Sequence, residues 1–272
     1  MPKTLPKNLN FHSPVLATVA VDWLDIKQQG RYIDATLGGG GHTQEIIRRG
    51  GQVLGLDQDP EALAACPDLD QLTKVQTNFI HLGEVAREHG FQNAAGILFD
   101  LGVSQHQVEE PSRGFSWQQD GPLDMRMGTT AVTAAELINQ LPEKELASII
   151  TRFGEEHQAK AIARRIVAHR PLTTTRELFS LVGRPDQGRR VFQAIRIAIN
   201  DELGAVTTAL PQALEVLRPG GRLVVISFHS LEDRLVKQQF AAWSSLGQGQ
   251  ILTAKPVLGE RGSKLRAFMK KL

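Results

Sequence analysis

Over its first hundred residues the chain alternates short β-like apolar runs with stretches of helical spacing. The runs are Arg31–Ala35, Gln52–Asp57, Lys74–Thr77 and Ala95–Asp100, and the helical segments start at Gly41, Pro60 and His81, the last reaching Glu88. Strands separated by helices are the pattern of a doubly wound, mainly parallel sheet, whose ligands lie outside the carboxyl ends of the strands. Gly38, Asp57, Phe79 and Asp100 fall at such ends. Ahead of the first strand, residues 1–12 read as an extended polar lead-in. A helix follows, with Ser13 as N-cap, Pro14 at the first helical position, and Val15, Leu16, Val19 and Trp23 on one face.

After Asp100 the alternation stops for about a hundred residues. Leu101 to Gly128 is rich in Gly, Pro, Ser and charge, and reads as a long functional loop whose aromatics and methionines close over a site. Beyond it the pattern is helical: Leu146, Ile149, Ile150 and Phe153 share a face, as do Ala159, Ile162, Ala163, Ile166 and Val167. Phe192, Ile195 and Ile199 point inward from a helix over Gly188–Asn200. The sheet pattern resumes with a helix over Asp201–Leu217, a Pro219-Gly220-Gly221 turn, a strand Arg222–Ser227 and a helix after Phe228. Gln250–Thr253 and Lys264–Met269 read as an antiparallel hairpin at the sheet edge. The expected division is a Rossmann-like domain of residues 1–104 and 201–272 with an inserted helical subdomain, 105–200.

Composition narrows the function classes. The 272 residues are 41% hydrophobic, as in a folded globule, and carry a net charge of +2, so a nucleic-acid surface must be local. The C-terminal stretch supplies one such cluster, with Lys255, Arg261, Lys264, Arg266, Lys270 and Lys271 against Glu260. The single cysteine, Cys66, excludes an intramolecular disulfide and reads as buried filler. The eight histidines show no metal-ligand spacing, so no metal is expected. No apolar run approaches the roughly 20 residues that span a bilayer. Val15–Val21 is followed directly by Asp22 and Asp25 and lacks a cleavage pattern, so no membrane partner and a cytoplasmic location are expected.

The chemistry concentrates in Asp34-Ala-Thr-Leu-Gly38-Gly39-Gly40-Gly41-His42, between a strand and a helix-like run, Thr43–Arg49. Glycine lets the backbone approach a bulky ligand, and the free N–H groups of a helix start favour polar or anionic groups. The dinucleotide fingerprint Gly-x-Gly-x-x-Gly is incomplete, because Thr43 stands at the third glycine, which disfavours a dehydrogenase. An acid ending the first strand (Asp34), then Thr36, Gly38 and Gly40, fits a S-adenosylmethionine site. The Asp34 carboxylate can reach a methionine ammonium or a backbone N–H of the turn, and Asp57, ending the second strand, would accept ribose hydroxyls.

With this pattern the chain resembles the RsmH (MraW) family of bacterial enzymes that methylate N4 of a cytidine in small-subunit (16S) ribosomal RNA. The motifs that carry the resemblance include His12-x-Pro-Val-Leu16, Gly40-Gly-His42, Leu56-Asp-x-Asp-Pro60, Asp100-Leu-Gly-Val-Ser104, Arg113-Gly-Phe-Ser116 and Asp120-Gly-Pro-Leu-Asp-Met-Arg-Met127. Gly154-Glu-Glu156, Phe192-Gln-Ala-Ile-Arg-Ile197, Asn200-x-Glu-Leu203 and Ser227-Phe-His-Ser-Leu-Glu-Asp-Arg234 extend it over nearly the whole length. It implies a Rossmann-like class I methyltransferase fold and S-adenosyl-L-methionine held by Gly40, Gly41, His42, Asp57, Phe79, Asp100 and Gln107. It also implies 16S ribosomal RNA, within the small subunit, as partner, and leaves room for a homodimer.

Asp100 is the first candidate for an acceptor on the cytosine amine, with a backbone carbonyl of Asp100–Val103 or the side chains of Ser227 and His229 as others. His229 could also take up the proton afterwards. Phe115, Trp117 and Phe228 are candidates to stack an exposed base, and Arg113, Asp124 and Arg126 to contact base or phosphate. Arg189, Gln193, Arg196 and Asn200 form one polar stripe suited to phosphates and Lys160, Arg164 and Arg165 another, although Glu156 could simply pair Lys160. The chain departs from the family pattern at Gly39, where an arginine is common, at Gln105, where a serine is common, and in a short segment from Trp243 to Leu265. The alternatives are a methyltransferase for another amine and a ribosome-assembly factor that binds RNA without turnover.

Overall fold

The computed structural model describes residues 14–128 and 132–272, so the lead-in and the Ser13 cap lie outside it. The chain divides into two compact units, Met1–Gly102 with Val206–Leu272, and Val103–Ala205.

The first unit opens with α1 (Ala17–Leu24), β1 (Arg31–Asp34), α2 (Gly41–Arg48), β2 (Gln52–Asp57), α3 (Pro60–Ala65) and β3 (Leu72–Gln76). A short 3-10 turn (Phe79–His81), α4 (Leu82–Glu88) and β4 (Ala94–Asp100) complete its N-terminal part. Within the first unit, β1 pairs in parallel with β2 and with β4, and β2 with β3.

Burial along β4 explains why its sequence reads as one apolar run, since every residue from Ala94 to Phe99 is buried. Ile97 and Phe99 join a cluster with Ile33, Leu54, Leu56 and Leu82, while Leu98 joins Tyr32, Val53, Val21, Leu24 and Ile46 on the opposite face. Successive side chains point to opposite faces of a strand, so a strand covered on both sides needs apolar residues at every position. Full burial of each such Leu or Ile is worth roughly 1.5–3 kcal/mol.

The N-terminal helix departs from the sequence expectation. It starts at Ala17 rather than beside Pro14, because Leu16 takes a left-handed conformation (φ 55°), and its buried residues are Ala20, Val21 and Leu24. Pro14 is instead placed where a Cβ on Gly41 would meet its Cγ at 2.7 Å, so the proline packs on the glycine turn.

The second unit holds α5 (Gln105–Glu109), inside the stretch read as a loop, then α6 (Ala134–Gln140), α7 (Glu143–Gly154) and α8 (Ala159–Ala168). It continues with α9 (Thr175–Val182) and α10 (Pro185–Asn200). Its own core gathers Leu146, Ile150, Ile162, Ile166, Val191 and Ile195, and also Phe115, Leu123, Met125 and Met127 from the stretch before α6. Trp117 stacks on Phe179 at 5.7 Å and meets Phe192 edge-on at 5.3 Å.

The chain then enters α11 (Glu202–Val216), within which the division between the units falls, and returns to the sheet as β5 (Leu217–Ser227), α12 (Ser230–Ser245), β6 (Gly249–Ile251), β7 (Val257–Leu258) and β8 (Lys264–Lys270). The strand order is β3-β2-β1-β4-β5-β8-β6, with β7 also on β8. β5 is parallel to β4, and β8 runs antiparallel to β5 and β6. The last strands are thus antiparallel as expected, with β8 set inside and β6 at the edge. β5 also begins five residues before the expected Arg222: Pro219-Gly220-Gly221 makes an irregularity within the strand, where Leu217 pairs Ala94 and Arg222 pairs Gly96.

Candidate active site

In the sheet unit, β1, β2, β4 and β5 end beside one another and deliver Asp34, Asp57, Asp100 and Ser227 at their carboxyl ends. The turn after β1 is bound to both neighbouring strands. Asp57 Oδ2 accepts the Gly38 N–H at 2.8 Å and Oδ1 the Asp59 N–H at 2.9 Å. Leu37 N–H donates to the Leu56 carbonyl, and the Asp100 N–H donates to Thr36 Oγ1 at 2.7 Å.

Two glycines are dictated by local geometry. Gly40 lies at φ 78°, and a Cβ there would stand 2.5 Å from Cys66 Sγ. Cys66 is therefore the buried floor of the turn, and burial pushes its thiol up to about 11. Gly41 is closed by Pro14, as described above.

Asp34 is fully buried, with Oδ2 accepting the Thr43 hydroxyl at 2.7 Å and Oδ1 the Thr36 N–H at 3.3 Å. It fastens the turn, the second of its two expected uses. Thr43, which spoils the dinucleotide fingerprint, is the partner Asp34 requires, a role that its helical position alone did not disclose. Burial raises the Asp34 carboxyl above the usual range, against the opposing His42 charge and the bonds from Thr43 and Thr36.

His42 is also buried, and its Nε2 lies 3.3 Å from Asp100 Oδ2. Nδ1 of His42 and Oδ1 of Asp100 are buried and have no hydrogen-bond partner among the described residues. Burial disfavours the charged imidazole, but the Asp100 hydrogen bond and the Asp100 and Asp34 charges outweigh it, and the His42 pKa is raised. Burial likewise lifts Asp57 to about 6, despite its two backbone N–H donors. Phe79 follows β3, half-buried, with its ring edge-on to Phe99 at 5.6 Å.

The structure gives other expected site residues different surroundings. His229 caps α12: Nδ1 accepts the Glu232 N–H at 3.4 Å, Nε2 lies 3.2 Å from Glu232 Oε1, and Glu232 Oε2 accepts the Phe228 and His229 N–H groups. Phe228 is half-buried at the end of β5, 3.6 Å from the place a Cβ on Gly102 would take.

In the helical unit, Gln107 is buried and closes a capping box with Ser104. Phe115 is 8% exposed within the core, which leaves no ring face for a base. Asp124 and Arg126 form a two-pronged ion pair, and Arg113 donates to the Arg126 carbonyl and lies over the Phe115 ring. Arg196 is held two-pronged by Glu202 at 2.7 and 2.9 Å, Asn200 joins the Met125 carbonyl and Met127 N–H, and Gln193 donates to the Phe153 carbonyl. The stripe expected to face phosphates thus points largely inward, with Arg189 left exposed. Glu156 is buried and pairs Arg190 at 2.6 Å rather than Lys160. In the C-terminal cluster, Arg266 and Lys264 converge on Asp233, and Lys270 donates to the Glu215 and Leu217 carbonyls.

Among the described residues no helix is long and apolar enough to cross a membrane. NSun6 from Pyrococcus horikoshii has a similar structure, with TM-score 0.50 at 12% identity over 98% of this chain and 56% of that one. The fold is Rossmann-like, a doubly wound and mainly parallel sheet. The model of the MraW methylase family matches residues 9–266, and the chain belongs to that family. Curated relatives named Ribosomal RNA small subunit methyltransferase H match over most of their length. That of Symbiobacterium thermophilum is 49% identical over 86% of this chain and 80% of its own. That of Heliobacterium modesticaldum is 45% identical over 91% of each.

Proposed function

We propose that this protein transfers the methyl group of S-adenosylmethionine to N4 of a cytidine in small-subunit (16S) ribosomal RNA. Family membership and the names of the relatives support the substrate class. The observation that carries the chemistry is the Asp100 carboxylate, whose Oδ1 is buried without a partner among the described residues at the end of β4. A buried acceptor with no donor is costly unless a ligand supplies one.

The residues present fit the cofactor. A Cβ on Gly40 or Gly41 would strike Cys66 or Pro14, and the backbone of the turn would take the methionine part. Asp57 would accept the ribose hydroxyls, Phe79 would pack on adenine, and Asp100 Oδ1 would accept an N–H of either the cofactor or the cytosine amine. When bound, S-adenosylmethionine supplies a methyl carbon made electrophilic by its sulfonium.

Cytosine N4 is a poor nucleophile because its lone pair is delocalised into the ring. An acceptor on one of its N–H groups localises that lone pair and aims it at the methyl carbon. In-line displacement then depends mainly on placement, which can supply ~7–11 kcal/mol. His229 Nδ1 accepts the Glu232 N–H at the start of α12 while its Nε2, like Asp100 Oδ1, is buried with no hydrogen-bond partner among the described residues. Asp100 is preferred because it ends a strand beside the turn after β1 and is bonded to it through Thr36. The helical unit would recognise the RNA, with exposed Lys160, Arg164 and Arg189 as phosphate contacts, and the work would take place in the cytoplasm.

The test is methyl incorporation from labelled S-adenosylmethionine into small ribosomal subunits that lack the modification, followed by nuclease digestion. Label in N4-methylcytidine that disappears in Asp100→Ala is the expected result. Label in another nucleoside or amine would overturn the acceptor, and RNA binding without label from intact protein would point to a non-catalytic assembly role.

A further inference from the structure

The His42 side chain takes part in none of the backbone contacts ascribed to the glycine turn, yet it lies at the centre of the acidic site. Its ring is 4% exposed at the first turn of α2. The charges acting on it come from two neighbouring strands: Asp100 at the end of β4, 3.3 Å from Nε2, and Asp34 at the end of β1. Asp34 already has both oxygens engaged, by Thr43 and the Thr36 N–H. Asp100 has Oδ2 towards His42, its own N–H on Thr36 Oγ1, and Oδ1 open. A neutral ring would leave the Asp100 carboxylate with no cation paired to it among the described residues, next to buried Asp34, whereas an imidazolium offsets its charge.

We propose that His42 is a positioning residue: as an imidazolium it donates Nε2–H to Asp100 Oδ2, holding that carboxylate turned so that Oδ1 remains a free acceptor. The ring acts through Asp100 and need not touch substrate or cofactor. Deprotonation at Nδ1 would leave Nε2–H as a neutral donor with a weaker hold on the Asp100 carboxylate, and would remove the charge that offsets it beside buried Asp34. Ligand binding should therefore weaken as pH rises through the midpoint of His42. The ligand part of this inference rests on the cofactor reading above, whereas the protonation state does not.

Nitrogen NMR of histidine-labelled protein without ligand tests the protonation directly, with the His42 signals assigned by their loss in His42→Gln. Both ring nitrogens protonated at pH 7, with a midpoint that falls in Asp100→Asn, is the expected result. A neutral ring at pH 7, or a midpoint indifferent to Asp100→Asn, would overturn the proposal.

Calorimetric titration with S-adenosylmethionine tests the consequence. Loss of a charge-assisted hydrogen bond predicts about ten- to a hundredfold weaker binding in His42→Phe. Part of that loss should be recovered by His42→Gln, which keeps a neutral N–H donor, and neither variant should retain the decline at high pH. A folded His42→Phe protein with wild-type affinity and pH profile would also sink the proposal. Wild-type protein that binds no S-adenosylmethionine would refute the cofactor reading instead, with the NMR result still deciding the state of His42.

Discussion

At Gly40 two costs of adding a side chain can be separated. Alanine there must adopt φ near 78° and also displace Cys66 Sγ. Strain of the first kind costs about 1 kcal/mol and overpacking about 1–3 kcal/mol. Gly40→Ala should therefore lower stability in urea melts by roughly 2–4 kcal/mol, and adding Cys66→Ala should return the packing part while leaving the backbone part. Full recovery would mean that the left-handed conformation is not required. Asp57 offers a pH test of the same turn. Its carboxyl is raised from 3.8 to about 6 in the folded protein, so the fold binds the proton more tightly than the unfolded chain does. The associated stability is present in full below about pH 4 and lost as pH rises through about 6. Asp57→Asn cannot ionise, and its stability relative to wild type should climb by about 2–3 kcal/mol between pH 4 and pH 7. A difference that stays flat would show that the two backbone donors at Asp57 offset its burial.

Among the elements, α7 and α10 approach closely within the helical unit at Gly154. A Cβ on Gly154 would stand 2.7 Å from the Arg190 carbonyl oxygen, and backbone cannot swing aside as a side-chain end can. Gly154→Ala should thus separate the two helices and cost about 1–3 kcal/mol in a denaturant melt, despite the better helix propensity of alanine. Periodicity made α7, α8 and α10 legible, because their apolar positions recur on one face and bury there. It misled at α1, where Pro14 and Leu16 answer to the glycine turn and a left-handed kink rather than to helix chemistry. The carboxylates at the strand ends were visible because a strand must end where its apolar run ends. The direction of Arg196 and the burial of Phe115 were not, since a stripe of polar residues looks the same whether it faces water or Glu202. Nor does any local spacing reveal that His42 reaches Asp100, 58 residues away in sequence.

For the whole molecule, the decisive fact is that each unit encloses its own apolar core, one pair of clusters around the sheet and one among the helices. A domain with its own core can open on its own, and native-state hydrogen exchange resolves such openings as separate cooperative units. Two substitutions probe this. Gly154→Ala acts within residues 103–205, and Leu98→Ala removes a fully buried side chain from β4 at a cost of about 2–5 kcal/mol. If the units open independently, Gly154→Ala should reduce protection in α7, α8 and α10 and leave β1, β4 and β5 as in wild type, and Leu98→Ala should do the converse. Binding of S-adenosylmethionine separates them further. If Asp57, Asp100 and the glycine turn hold it as proposed, Gly154→Ala should keep the affinity, because all of these belong to the sheet unit, while Leu98→Ala should weaken it. Equal loss of protection throughout the chain from either substitution would mean that the two cores open as one.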